Sequence, residues 1–367
     1  MTKIKSKILR PRFDPVIFFA VLALVAFGVV MVYEDSVVEA FTQFSDKFYF
    51  AKLQLRWAVL SLVIMLVTSF VPYRLWRKLS LPLFITTLLL LVVVLIPGIG
   101  AKIQGARRWL NLGGFTLQPA ELVKLTFVMY LASWLTHKAR LLPFLLLSGF
   151  LLTLVILEPD LGTAVVIIST GFLVYFFSGA PLLVITAVGI TGLLAGSALT
   201  LSSAYRRARL LTFFNPTADP LGSSYHIRQI LIAIGSGGLL GLGLGQSRQK
   251  YAYLPEATTD SIFAIIGEEI GFIGAVLIIG LFLLIIYRGF TIARSAPDRF
   301  SQLLAGGIIS SLALQTCINL ASIVALVPLT GVPLPFISYG GSSLITHLAG
   351  MGILLNISRS THNQIQT

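Results

Sequence analysis

The stretch Ser261–Tyr287, SIFAIIGEEIGFIGAVLIIGLFLLIIY, decides the fold. It exceeds the roughly 20 residues a helix needs to cross a bilayer. Its only charges are the adjacent Glu268 and Glu269. Stretches of the same kind recur at about 15–33, 55–73, 80–97, 119–136, 141–157, 161–178, 181–201, 302–328 and 341–358. The chain therefore reads as an all-α polytopic membrane protein with about ten transmembrane helices. We take it as one integral membrane domain, 1–367, with a large loop at about 202–260 between the seventh and eighth spans.

Composition excludes the main alternatives. Of the 367 residues, 56% are hydrophobic and only 11% charged, against about 25% charged in a soluble domain. Disordered chains are far less apolar, and β-barrels alternate polarity in short segments. Cys317 is the only cysteine, which excludes an intrachain disulfide, and no Cys/His cluster suggests zinc. Lys3, Lys5, Lys7, Arg10 and Arg12 precede the first span in the manner of a signal peptide. Its apolar core is too long for one and no small-residue cleavage site follows, so an uncleaved span is expected. No internal repeat is visible, which weighs against transporters built from duplicated halves.

Lys and Arg set the orientation. With a cytoplasmic N-terminus, about half of the 27 Lys and Arg fall inside. Six of the others, Arg206, Arg207, Arg209, Arg228, Arg248 and Lys250, lie in the long loop, and long loops translocate largely regardless of charge. Without that loop the inner side dominates, and an even number of spans places both termini inside.

In this orientation the acids become informative. Glu121, Glu158, Asp160, Glu256 and Asp260 fall at outer ends of spans, and Glu268 and Glu269 lie about two turns inside the eighth. A carboxylate in the membrane costs about 2.5–3.5 kcal/mol on the insertion scale unless it meets a polar cavity or a cation. One polar cavity open to the outer leaflet is expected. Lys102, Arg107, Arg108 and the loop cations oppose the usual charge bias, so an anion tied to lipid is the expected reward, and Arg suits phosphate. Individually, each of these cations also suits a solvated loop or a lipid headgroup.

The long loop alternates apolar residues with glycine from Gly235 to Gly245. This pattern fits re-entrant backbone, tolerated only inside protein or a wet cavity, and equally fits close packing of short helices. No Walker-type lysine follows, so no nucleotide site is expected, and nucleic acid is not an expected partner. Asp260 ends the run Pro255-Glu256-Ala257-Thr258-Thr259-Asp260 and could cap the eighth helix. Asp160, after Glu158-Pro159, could cap the sixth. Glu268 could be a structural ion-pair partner. Pro328, Pro333 and Pro335, then Ser338-Tyr339-Gly340-Gly341-Ser342-Ser343, form a stiff outer loop with hydroxyls available to a sugar or phosphate.

Several blocks in one order resemble the SEDS family (shape, elongation, division and sporulation). They are Gly105 to Leu110, Gln118 to Glu121, Glu158 to Thr163, Tyr225 to Gly238, Leu254 to Asp260 with Gly267-Glu268-Glu269, and Leu334 to Ser343. The run Gly243 to Lys250 is similar to the division and sporulation branch, FtsW-like rather than RodA-like. Three positions depart from the family pattern. Ser261 stands where an aromatic residue is common, Thr259 directly precedes the aspartate, and His226 replaces a usual Gln.

The resemblance implies a peptidoglycan glycosyltransferase in the bacterial plasma membrane, with its active site facing outward. It would polymerise lipid II on undecaprenyl pyrophosphate. It also implies a divalent cation, Mg2+ or Mn2+, and a class B penicillin-binding protein as partner. The aspartate matching Asp260 is the family's essential one. In this scheme Asp260 is general base or metal ligand, and Glu268 orients it. Arg107, Arg108, Arg209 and Lys250 are candidates for pyrophosphate contact, and Glu121, Ser338 and Ser342 for substrate binding. A lipid II flippase and a non-catalytic division scaffold are the alternatives. The first should need polar groups through the inner half of the membrane, where few acids occur. The second does not explain the buried outer acids.

Overall fold

A computed structural model describes residues 13–103, 106–111, 113, 115–137, 140–201, 204–215, 224–250 and 254–364. Lys3, Lys5, Lys7, Arg10, Arg12 and Gly105 lie outside these residues, as do the side chains of Arg206 and Arg209. Among the described residues the chain forms α1 (Pro15–Phe44), α2 (Tyr49–Phe70), α3 (Tyr73–Leu95), β1 (Gly100–Ile103), β2 (Ala106–Asn111), β3 (Thr116–Leu117), α4 (Pro119–Trp134), α5 (Leu141–Leu157), α6 (Leu161–Phe177), α7 (Leu182–Leu201), α8 (Ala204–Phe214), α9 (Tyr225–Gly237), α10 (Ile262–Ser295), α11 (Arg299–Ile323) and α12 (Gly341–Gln364). The expected apolar stretches all fall on helices. Five of these, α1, α2, α3, α10 and α11, are long and apolar enough to cross a membrane by length and composition.

Local chemistry sets several helix starts. The Asp14 carboxylate accepts from Val16 N and Ile17 N, with Pro15 at the first helical position. Asp298 and Ser301 close a reciprocal capping box at α11. Asp160 caps α6 by accepting from Thr163 N. Asp260, by contrast, does not cap α10: Ser261 holds that position and its side chain makes no capping bond.

Helix α12 packs most extensively on α2, with α4, α10 and α11 also against it, and α6 packs on α11 and α4. Large apolar side chains such as Leu142, Leu183, Leu240 and Tyr287 face outward, as expected where lipid rather than water is the solvent.

The structure adds three features to the all-helical expectation. The segment after α3 is a three-stranded antiparallel sheet in the order β1-β2-β3. The long loop contains α8 and α9. Helix α10 is broken at Gly271, whose φ of 69° lies outside helical space.

Candidate functional site

The Pro-rich segment from Pro328 to Gly341 reaches into the bundle and is held on every side. Asn319 Nδ2 donates to Val332 O, and Gln315 Nε2 to Pro333 O. Leu334 N donates to Ser338 Oγ, Gln54 Nε2 to Ser338 O, and Tyr339 N to Thr258 O. Gln315 and Asn319 are four apart on α11 and so share a face. Together they fix two successive carbonyls of the segment.

Asp260 sits against this segment. Its carboxylate faces Gly331, where even a methyl group would come within 3.8 Å of Oδ2. The same Asn319 amide donates to Asp260 O at 2.8 Å. Thr259 Oγ1 lies 2.9 Å from Glu256 Oε2 and 3.5 Å from Asp260 Oδ1, bridging two carboxylates. Pro255 and Glu256 are exposed, whereas Asp260 is 9% exposed and the residues after it are buried. Asp260 thus stands where the chain passes from surface to interior.

Glu268 and Glu269 lie eight and nine residues further along α10, about 12 Å by helical rise. They form a second centre. The break at Gly271 frees backbone groups, and the glycine-rich loop takes them up. Leu242 N and Gly243 N donate to Glu268 O and Glu269 O, while Phe272 N and Ile273 N donate to Gly238 O and Leu239 O. Close approach requires glycine: a Cβ on Gly241 would lie 2.2 Å from Glu269 O. The loop's backbone is thus hydrogen-bonded to the broken helix, while the side chains of Leu239, Leu240, Leu242 and Leu244 stay exposed.

The side chains of this centre are also paired. Glu268 accepts from Ser236 Oγ, Ser247 Oγ and Arg248 N. Glu269 accepts from Ser247 N and Lys250 Nζ, both at 3.3 Å. Lys250 also donates to Gly245 O and lies 3.7 Å from Glu34.

The remaining candidates divide further. Glu121 pairs with Lys124 at 2.7 Å, and Lys124 also reaches Gln315 Oε1. Arg108 donates to the carbonyls of Glu158 and Pro159. Asp160 accepts from Gln118 and Thr163. Ser342 Oγ accepts from Gln118 N and donates to Thr116 O. Ser338 and Ser342 are buried, with their hydroxyls bonded to main chain. Arg209 lies on α8, its side chain outside the described residues. The acids expected to line a single cavity are instead distributed. Glu121, Asp160 and the Glu268–Glu269 pair each have their own donors, and Glu268 and Glu269 lie on α10 about two turns beyond Asp260.

Glu158, in the turn between α5 and α6, is fully buried with neither carboxylate oxygen hydrogen-bonded. Burial pushes its pKa up to about 9; Asp160 adds to the rise and Arg108 opposes it.

Gln315, Asn319, Glu34 and Lys124 went unremarked in the sequence. Polar residues at i and i+4 inside an apolar span were the signal for the first two.

A cation fits the Asp260 corner in one mode only. Among the described residues no three His, Cys, Asp or Glu side chains converge to cage a metal. Asp260 and Glu256, joined through Thr259, supply the one or two hard carboxylates with which Mg2+ is usually held beside substrate phosphates.

The family profile described as "Cell cycle protein", FtsW/RodA/SpoVE, matches residues 15–363. The chain belongs to this family. It is 43% identical over 355 residues to "Probable peptidoglycan glycosyltransferase FtsW" of Trichlorobacter lovleyi, covering 95% of this chain and 93% of the relative. It is also 43% identical over 356 residues to "Stage V sporulation protein E" of Bacillus subtilis, covering 94% and 97%. Among solved structures, a chain described under "Structural coordination of polymerization and crosslinking by a peptidoglycan synthase complex" superposes with TM-score 0.79 at 32% identity, covering 95% and 98%. The Thermus thermophilus rod shape determining protein RodA gives TM-score 0.70 at 31% identity, with the same coverage. The chain is thus a multi-pass membrane protein of a cell-cycle family. His226 Nε2 lies 2.8 Å from Ser261 Oγ, directly after Asp260.

Proposed function

We propose that this protein is a peptidoglycan glycosyltransferase that polymerises lipid II for cell division or shape. The observation that carries the reading is its identity, over nearly its whole length, to a relative named for that activity. In this reading it crosses the bacterial plasma membrane about ten times and works at the outer face. A class B penicillin-binding protein is its partner, as the complex named for polymerisation and crosslinking suggests.

Asp260 is the general base. Its carboxylate takes the proton from the acceptor sugar hydroxyl. The new bond forms from that oxygen to the anomeric carbon of the donor. The bond from that carbon to phosphate breaks, and its electron pair leaves with undecaprenyl pyrophosphate. The proton on Asp260 then passes to water. Positioned base catalysis contributes about 10²–10⁴-fold. Asn319 holds the main chain of Asp260 through its carbonyl oxygen.

Arg107 is the candidate for gripping pyrophosphate. Arg108 on β2 is turned to the α5–α6 turn. Arg107 pairs with Lys102 on β1, beside an irregularity in the register that leaves Arg108 without a partner position. Two like charges in that position repel, and an anion between them reverses the sign. A divalent cation at Asp260 and Glu256 would supply charge neutralisation for the pyrophosphate.

Purified protein incubated with lipid II, with and without chelator, tests the proposal on a gel. Glycan ladders lost on chelation and restored by Mg2+ or Mn2+ support it. Absence of any polymer, with the partner present or absent, overturns it.

A further inference from the structure

The second polar centre has no role in the chemistry above, yet both of its carboxylates are buried and hydrogen-bonded. Lys250 precedes Asp260 by ten residues and Glu269 follows it by nine. Their side chains meet at 3.3 Å, with Lys250 6% and Glu269 0% exposed. The contact ties the chain before Asp260 to the helix after it. The closure is doubled by Ser247 N on Glu269 and by Ser247 Oγ and Arg248 N on Glu268. Leu254 N donates to Gln249 O. Outside this contact, Lys250 faces Glu34 in the C-terminal half of α1, and the adjacent Asp35 is buried with neither oxygen hydrogen-bonded. Lys250 is the cation set among these carboxylates, so its charge cannot be removed without leaving buried anions uncompensated.

From this closure we infer that Lys250 and Glu269 form an ionic clasp that positions Asp260, with Glu34 tying the clasp to α1. Both are positioning residues. They act through the chain segments they tie together, and neither touches substrate. The inference rests on the glycosyltransferase reading, since it assigns Asp260 the chemistry. It gives Lys250 a different task from the pyrophosphate contact suggested by its position in a basic loop.

The two roles predict different kinetics. Misplacing a catalytic group by about 1 Å can cost on the order of 10²-fold in rate. As a clasp, Lys250→Met and Glu269→Gln should each lower kcat for lipid II polymerisation by about that factor and leave KM nearly unchanged. The double variant should be no worse than either single one, because one contact has been removed once. Lys250→Arg should restore much of the rate.

Four variants and the unaltered protein are assayed over a range of lipid II concentrations, with thermal unfolding as control. A KM increase confined to Lys250→Met, with Glu269→Gln near normal or the effects additive, overturns the clasp in favour of a phosphate contact. Full activity in both single variants overturns it as well. If either single variant does not fold, Glu34→Gln takes its place. Glu34 is 26% exposed, and its variant should show a smaller kcat loss in the same direction; no loss overturns the link to α1. Failure of the unaltered protein to polymerise lipid II indicts the proposed function instead.

Discussion

Asn319 holds Asp260 by its main chain rather than its carboxylate. One amide nitrogen on α11 donates to Asp260 O and to Val332 O, each at 2.8 Å. The base is thereby located relative to the Pro-rich segment. Replacing Asn319 with Leu leaves two buried carbonyls without donors, and a buried polar group without a partner costs about 1–3 kcal/mol. Asn319→Leu should lower the melting temperature and reduce polymerisation. Asn319→Asp, which sets a carboxylate against two carbonyl oxygens, should be worse on both counts. Thermal unfolding and a lipid II assay on the same preparations check this.

The glycine-rich loop makes a sharp contrast between neighbours. Gly241 has φ of 81°, and a Cβ there would lie 2.2 Å from the carbonyl oxygen of Glu269. Gly235, on α9, has nothing within 4 Å of where its Cβ would lie. Gly241→Ala should prevent the loop from seating on α10 and sharply reduce folded yield. Gly235→Ala should be neutral or slightly stabilising, since alanine is the better helix former by up to about 1 kcal/mol. Monodisperse yield and melting temperature separate the two.

Much of this fold is legible in the sequence because hydropathy marks the spans and a bilayer fixes their length. Ser261–Tyr287 reads correctly as a long apolar helix. Its break at Gly271 does not, since glycine within an apolar run is compatible with unbroken helix. The strands between α3 and α4 are too short and polar to declare themselves. Asp260 could equally have been an N-cap on sequence grounds, and only the geometry moves that role to Ser261. The acids were read as one hollow because sequence gives the depth of each residue and not which helices pack together. For the same reason Lys250 could be placed in a basic loop but not opposite Glu269.

Glu158 makes stability depend on pH. Burial raises its folded-state pKa from 4.5 to about 9. The folded protein then binds a proton more tightly than the unfolded chain between those values, so stability falls as pH rises through that window. Glu158→Gln, neutral at every pH, should flatten the dependence and melt higher than the unaltered protein at pH 8. Melting temperatures measured between about pH 5 and pH 9 give the comparison. Equal slopes in the two proteins would show that Glu158 ionises freely in the fold.

The most direct test is the rate of glycan synthesis from purified lipid II by Asp260→Asn, an isosteric change that removes the base while keeping the Asn319 and Gly331 contacts. The account predicts a loss of about 10²-fold or more at an unchanged melting temperature. Long glycan made by Asp260→Asn at the rate of the unaltered protein would contradict it.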